Sequence, residues 1–366
     1  MSTTAPDLAT VLSSWTWAPL TDLAVLLGTL GYAWLVRRLH TAGHRNEPHH
    51  AASHQNAPHH RWPTGRAVSW GLAMLALVLA GNSAVAVYSD VLFWVHMAQH
   101  LLLIMIAPIL LVWAQPVRLV QTALPTVGVR LERLLARRPV RWATAPLTGL
   151  ALYAALVVLT HLTGFQQVSA THGGVRAFEL AAYLLCGWLF FFPLLGGELG
   201  SWSLPYLLRF LVLGIGMGAD TLTGVALMLT SRPLAPAYAA AHPGWGPTAL
   251  LDQEAAGAIM WFGGDLLMMI LMIVVAVQWG RAGPDQQGLG QWLEGARRRS
   301  LLGAPAADFP TTGPRGPAGT STDSTTHDDP EIDIDEDQRA LDAYNAALAA
   351  LHAQSPARRP GPAGDR

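Results

Sequence analysis

The stretch VLFWVHMAQHLLLIMIAPILLVW, residues 91–113, contains no Asp, Glu, Lys or Arg. A helix that crosses a bilayer needs about 20 predominantly apolar residues, so this stretch predicts a membrane-spanning helix. It also contains His96, Gln99 and His100, polar side chains that are costly to bury in a membrane without a task. The same stretch therefore predicts the fold class and a candidate site.

Composition extends this reading to most of the chain. Hydrophobic residues make up 51% of the 366 residues and charged residues only 13%, whereas a soluble domain carries about 25% charged residues. We therefore predict an all-α polytopic membrane protein with seven transmembrane helices. The seven predicted segments cover approximately residues 19–36, 67–86, 91–113, 145–162, 176–196, 206–230 and 255–279. The first is short and the weakest of them.

The remaining regions differ in composition. Residues 1–18 are predicted to lie outside the membrane, before a seven-helix domain at 19–282; because no cationic region precedes the first segment, we expect a retained helix and not a signal peptide. Residues 283–366 are predicted to form a disordered tail, with a possible short amphipathic helix at 336–353. The linker at 38–66 is rich in histidine, and we interpret it as a solvated low-complexity segment rather than a metal trap. Its histidines are His40, His44, His49, His50, His54, His59 and His60.

Arginine placement predicts the orientation of the helices. The linker between the first two segments, the loop between the third and fourth, and the region after the seventh are all rich in arginine. Basic loops stay on the cytoplasmic side, and seven helices place all three regions there. The N-terminus is then predicted outside and the C-terminus in the cytoplasm.

Other classes of function receive no support. The net charge of −1 gives no argument for nucleic acid as a partner, and the single cysteine, Cys186, cannot form an intrachain disulfide or a thiolate cluster. The expected partner surface is membrane lipid.

The histidines of the third segment are the strongest site candidates. His96 and His100 are four residues apart and share one helix face, with Gln99 beside them. Two imidazoles at this spacing can bind one metal ion. The alternative is a pair of packed histidines that donate hydrogen bonds to backbone carbonyls.

The predicted orientation brings other polar residues to the same outer side. His161, His172 and Glu179 are candidate assisting ligands there. Asp220, Asp252 and Asp265 are candidate supporting groups. The alternative is a structural hydrogen-bonding role for Asp220 and Asp265, and a helix cap for Asp252. The thioethers of Met97 and Met260, combined with imidazole, favour Cu(I) over Mg²⁺ or Ca²⁺; their alternative role is packing.

These motifs resemble the CtaG-type copper-insertion assembly factors of haem–copper cytochrome c oxidases, a seven-helix bacterial family. The resemblance runs from the second to the seventh segment, and the tail is similar to actinobacterial members. It is carried by His96-Met97-Ala-Gln99-His100 with Ala107-Pro108, by Thr160-His161-Leu, by Gly187 to Pro193, by Pro233-Leu-Ala-Pro236-Ala-Tyr238, and by Asp252-Gln253 with Met260-Trp261 and Gly264-Asp265.

The chain departs from the family pattern in one place. Members usually carry His-x-x-Glu-His at the start of the fifth segment, whereas this chain has Arg176, Glu179 and Leu180 there. Two expected metal ligands are therefore replaced, and His172 is the candidate substitute. The other interpretation is a diverged paralogue with altered copper binding.

The resemblance implies an assembly factor in the bacterial plasma membrane, which is not an enzyme. It would help to deliver copper to the catalytic subunit of cytochrome c oxidase, with an extracytoplasmic copper chaperone as the second candidate partner. Two alternatives remain open from the residues alone. One is a metal-ion or proton transporter that uses Asp220 and Asp265, and the other is a haem- or quinone-linked electron carrier with His96 and His161 as axial ligands.

Overall fold

The computed structural model describes residues 7–45, 62–195 and 204–281. Within these ranges the regular structure is helical and no strand occurs, because long apolar segments in a membrane must satisfy their backbone hydrogen bonds internally. Most of the histidine-rich linker and the proposed tail helix at 336–353 lie outside the described residues.

Seven long helices dominate the described residues, and we number them helix 1 to helix 7. Helices 3 and 7 each contain a five-residue π-helical segment. Their bounds are Pro19–Arg45 (helix 1), Thr64–Asn82 (helix 2), Phe93–Ala114 with the π segment Leu102–Ile106 (helix 3), Pro146–Leu162 (helix 4), Gly173–Leu195 (helix 5), Tyr206–Leu229 (helix 6) and Ala249–Arg281 with the π segment Ile259–Gly263 (helix 7). Short helices include Leu8–Ser13, Ala84–Tyr88, Pro116–Ala123, Pro125–Leu135, Arg138–Ala143, Phe165–Thr171 and Pro236–Ala240.

The length and composition of these helices confirm the predicted all-α multi-pass membrane fold. Six of them are long and apolar enough to cross a membrane. Helix 4 reaches that length only together with Phe165–Thr171, from which it is bent by 76°, and this pair would make the seventh span. The orientation of the termini is not tested and stays a prediction.

Helix 1 differs from its prediction. It continues to Arg45 and is therefore longer than the segment 19–36, so the first residues of the linker are helical rather than irregular. Many of its apolar side chains are exposed, and Tyr32 is the one buried residue among its side chains that the structure describes. Asp22 also accepts a hydrogen bond from Asn82 of helix 2 at 2.8 Å. The Tyr32 ring stacks on Trp70 at 4.5 Å, and its hydroxyl donates to the carbonyl of Ala114 at 3.0 Å.

Helix 3 is the most buried of the candidate spans and lies at the centre of the bundle, where it contacts helices 2, 5 and 7. Its π segment ends just before Pro108. Proline has no N–H to donate to the carbonyl four residues earlier, here that of Ile104, and a wider turn accommodates this loss. The π segment begins two residues after His100, and such turns are frequent at functional sites.

Glycines let the central helices approach each other closely. Gly187 of helix 5 lies against the carbonyl of Ile104, and a Cβ atom at this position would overlap that oxygen and lie 2.9 Å from Cγ of Pro108. Gly149 of helix 4 lies similarly against the backbone of Leu189. Small residues at helix crossings are the usual means of close packing in membranes.

We predict that Gly187→Ala destabilises the bundle, because the added methyl group must push helix 5 away from helix 3. Overpacking of this kind typically costs about 1–3 kcal/mol, seen as a lower thermal unfolding midpoint in detergent. Gly71→Ala is the control, because a Cβ at Gly71 meets nothing within 4 Å. Equal midpoints for the two variants would contradict the close contact.

Candidate metal centre

Three buried side chains converge between helices 3 and 5. His96, His100 and Glu179 each offer one ligand atom, and these three atoms lie within 4.8 Å of one another. Nε2 of His100 is 3.3 Å from Oε1 of Glu179, and Nε2 of His96 is 3.6 Å from Oε2. His96 and Glu179 are fully buried and His100 is 3% exposed. We call this group the triad.

The position of the two histidines depends on how helix 3 begins. Its first backbone N–H groups, at Phe93 and Trp94, donate to the carboxylate of Asp252 on helix 7 at 2.8 and 2.9 Å. Such groups have no partner within their own helix, so a carboxylate from a neighbouring helix stabilises this end. Asp252 was a candidate supporting group, and the structure assigns it this capping contact. Its own helix is capped by Thr248.

Glu179 is held in place by the short helix Phe165–Thr171, which precedes helix 5. Nε2 of Gln166 donates to Oε1 of Glu179 at 2.7 Å, and the hydroxyl of Ser169 donates to Oε2. Both donors are buried. These two bonds orient the carboxylate, and both of its oxygens also lie next to the imidazoles of His96 and His100.

Apart from their contacts with Glu179, the imidazole nitrogens of the triad have no polar partner in the described part of the chain. Among the described residues, neither nitrogen of His96 or of His100 has a hydrogen-bond partner. A buried polar group without a partner costs about 1–3 kcal/mol, and the Nε2 atoms of both rings face the carboxylate of Glu179. The packed-histidine alternative requires donation to backbone carbonyls, and these contacts do not occur within the described part of the chain.

Aromatic side chains close the triad on two sides. The ring of Tyr183 stacks on His100 with 3.9 Å between ring centroids, and the ring of Tyr238 lies 5.7 Å from that of His96. Tyr238 belongs to the short helix Pro236–Ala240, and burial raises the pKa of its phenol well above the ordinary value. Its hydroxyl therefore stays protonated at neutral pH.

The two positions that depart from the family pattern do not join the triad. The guanidinium of Arg176 pairs with Asp90 at 2.9 Å and donates to the carbonyl and hydroxyl of Ser89, and to Oε1 of Gln99 at 3.3 Å. Leu180 packs against the apolar core. Arg176 thus connects the loop before helix 3 to helix 5, and the triad remains complete without these two residues.

His161 and Met97 form a second contact close to His100. Nε2 of His161 is 3.1 Å from the sulfur of Met97, and the ring centroids of His161 and His100 are 5.4 Å apart. A cavity of about 20 Å³ is lined by both residues together with His100 and Met260. These predicted ligands are therefore close to one another, although they are outside the triad.

The other candidates lie outside the triad, and among them Asp220 lines the cavity beside His161. His172 is exposed, and its Nδ1 is 3.2 Å from the carbonyl of Val168; it is not part of the triad, so it does not replace the missing histidines there. Gln99 donates to the carbonyl of Ala80 at 2.7 Å. The two membrane aspartates accept hydrogen bonds from hydroxyl groups, Asp220 from Tyr153 at 2.7 Å and Asp265 from Thr221 at 2.9 Å.

The ligand set of the triad determines its chemistry. Imidazole nitrogen suits Zn, Cu, Fe and Ni, and a carboxylate can complete such a site. Two histidines and one glutamate therefore form a three-ligand set for a transition-metal ion. Gln166 and Ser169 were not predicted as site residues, because the sequence marks them only by a spacing of about one helical turn in the segment before helix 5.

We predict that Asp252→Ala lowers the thermal unfolding midpoint of the protein in detergent, because two N–H groups at the start of helix 3 lose their acceptor. Loss of a helix cap typically costs about 0.5–2 kcal/mol. Glu254→Ala is the matched control, since Glu254 is exposed on the same helix. An equal loss in both variants would exclude a specific capping role for Asp252.

The chain is similar to known proteins. The chain is 28% identical over 285 residues to uncharacterized proteins of Mycobacterium bovis and Mycobacterium tuberculosis, covering 75% of this chain and 41% of theirs. It is 32% identical over 230 residues to an uncharacterized protein of Mycobacterium leprae, covering 60% and 35%. The chain thus spans less than half the length of these relatives.

No solved structure matches the chain. Residues 30–282, which include all seven long helices apart from the first part of helix 1, match the cytochrome c oxidase caa3 assembly factor family. The chain is a multi-pass membrane protein that belongs to this family.

Proposed function

We propose that this protein holds a copper ion at the triad of His96, His100 and Glu179 and passes it to the catalytic subunit of cytochrome c oxidase during assembly. The observation that carries the proposal is the convergence of three buried ligand atoms within 4.8 Å. Family membership supports a role in oxidase assembly, and the ligand types support copper among the metals involved in that assembly.

The number of ligands in the triad supports a site for a transferred ion rather than for a structural ion. The three side chains offer three ligands, and a transition-metal ion accepts at least one more in its common geometries. An incompletely coordinated ion can exchange ligands with a partner protein in the membrane. Such a transfer changes no covalent bond of a substrate, and we therefore propose an assembly factor rather than an enzyme.

The electron-carrier alternative fits the geometry less well. A haem between His96 and His161 would need a pocket the size of a porphyrin. The ring of His100 lies instead next to both, at 4.0 Å from His96 and 5.4 Å from His161 by ring centroids. The cavity beside His161 has a volume of about 20 Å³, which suits one water-sized body.

The proposal predicts that Glu179→Gln weakens copper binding, because the triad loses its only anionic ligand. We expect a loss of affinity of about 10–100-fold or more, measured by competition with a chromophoric chelator on the purified chain. The double variant His96→Ala, His100→Ala is expected to lose binding at this site and, in cells, to lower the yield of active oxidase.

His172→Ala is the matched control for these variants. It removes a histidine at an exposed position before helix 5 and is expected to leave both copper affinity and oxidase yield unchanged. Normal oxidase activity in cells that carry the double variant as the only copy, at normal protein level, would rule out the proposed role of the triad.

A further inference from the structure

We propose that the protein has a second metal site, formed by Nε2 of His161 and the sulfur of Met97, that binds a soft monovalent ion such as Cu(I). This inference deepens the proposed function and rests on it for the identity of the cargo. It differs in its ligands, because the triad has no sulfur and this pair has no carboxylate.

The first step concerns the proton on His161. Nδ1 of His161 lies 2.7 Å from the carbonyl oxygen of Val157, an atom that can only accept hydrogen bonds. The hydroxyl oxygens of Thr160 and Tyr183 also lie near Nδ1, at 3.1 and 3.3 Å, and can accept a hydrogen bond from it as well. With Nδ1 as the donor in a neutral ring, the lone pair is on Nε2. The backbone of helix 4 thus fixes which nitrogen of His161 is available as a ligand.

The second step concerns what this lone pair meets. Nε2 of His161 lies 3.1 Å from the sulfur of Met97, and a thioether sulfur has lone pairs but no hydrogen to donate. Two groups that can only accept therefore face each other in a region where His161 and Met97 are each 1% exposed. A cation bound to both atoms removes this mismatch. A doubly protonated ring would instead bury a charge beside His100, which is costly without a paired anion.

The distance between the two atoms is close to that required by one bound ion. Nitrogen and sulfur ligands lie about 2.0 and 2.3 Å from a tetrahedral ion such as Zn²⁺, which places the two ligand atoms about 3.5 Å apart. The observed separation is 3.1 Å, so the two side chains would move apart by about 0.4 Å on binding. Met260, His100 and Asp220 line the same cavity of about 20 Å³ and are the available further ligands. Thioether and imidazole together select Cu(I).

The position of His100 connects this site to the triad. Its ring lies 4.0 Å from that of His96 and 5.4 Å from that of His161 by centroids. Met97 follows His96 in the sequence, but it points about 100° away around helix 3. One helix therefore presents the nitrogen ligands of the triad on one face and a sulfur ligand on the next.

Two metal probes distinguish the sites in the purified full chain. Ag(I), a soft and redox-inert monovalent ion, reports on the His161–Met97 site, and Zn(II) reports on the triad. We expect Met97→Leu to weaken Ag(I) binding by about 10–100-fold and to leave Zn(II) affinity unchanged. Glu179→Gln is expected to weaken Zn(II) binding and to leave a sulfur scatterer in the X-ray absorption spectrum of bound Cu(I).

Met105→Leu is the matched control, because Met105 is 1% exposed on the same helix and is not among the residues that line the cavity. Leucine conserves the volume of methionine, so both variants should fold, and unchanged thermal unfolding midpoints verify this. If Met97→Leu binds Ag(I) as tightly as Met105→Leu and wild-type Cu(I) shows no sulfur scatterer, the second site does not exist. That result would leave the triad intact, whereas unchanged Zn(II) binding in Glu179→Gln would overturn the triad and leave the second site.

Discussion

A carboxylate inside a membrane-embedded helix bundle must find its partners within the protein, because lipid offers none. Glu179 meets this constraint with two hydrogen-bond donors from the short helix before helix 5 and two imidazoles from helix 3. The position of Glu179 therefore requires three elements to meet at one point. The capping of helix 3 by Asp252 and the close contact of helices 3 and 5 at Gly187 bring those elements together.

Other buried polar side chains follow the same constraint with simpler partners. Asp220 accepts a hydrogen bond from Tyr153, and Asp265 accepts one from Thr221. Each of these contacts joins a carboxylate to a hydroxyl group, and the second joins helices 6 and 7. The transporter alternative needs these aspartates in a shared polar path, and their separate local partners favour a role in holding helices together. Glu179 differs because its neighbours include metal-binding side chains.

The sequence predicted the features that depend on local periodicity. Apolar length predicted the spans, and the spacing of His96 and His100 predicted that they share a helix face, as the contact between their rings confirms. The position of His172 outside the triad could not be predicted. His172 follows the short helix Phe165–Thr171, whose direction is set by the 76° bend after helix 4. The sequence offered Asp252 as a helix cap, but it could not show that Asp252 caps helix 3, since this contact joins residues 159 positions apart.

The arrangement along helix 3 suggests why the ligands occur in this order. Transfer of a metal ion by ligand exchange requires the next ligand to be within reach before the previous bond breaks. His100 meets this requirement because its ring neighbours those of both His96 and His161. One turn of helix 3 thus places His96, Met97 and His100 beside Glu179 of helix 5 and His161 of helix 4. His100 is the member close to both groups. On the proposed function, an ion bound at the triad need not leave the protein interior to reach the sulfur ligand.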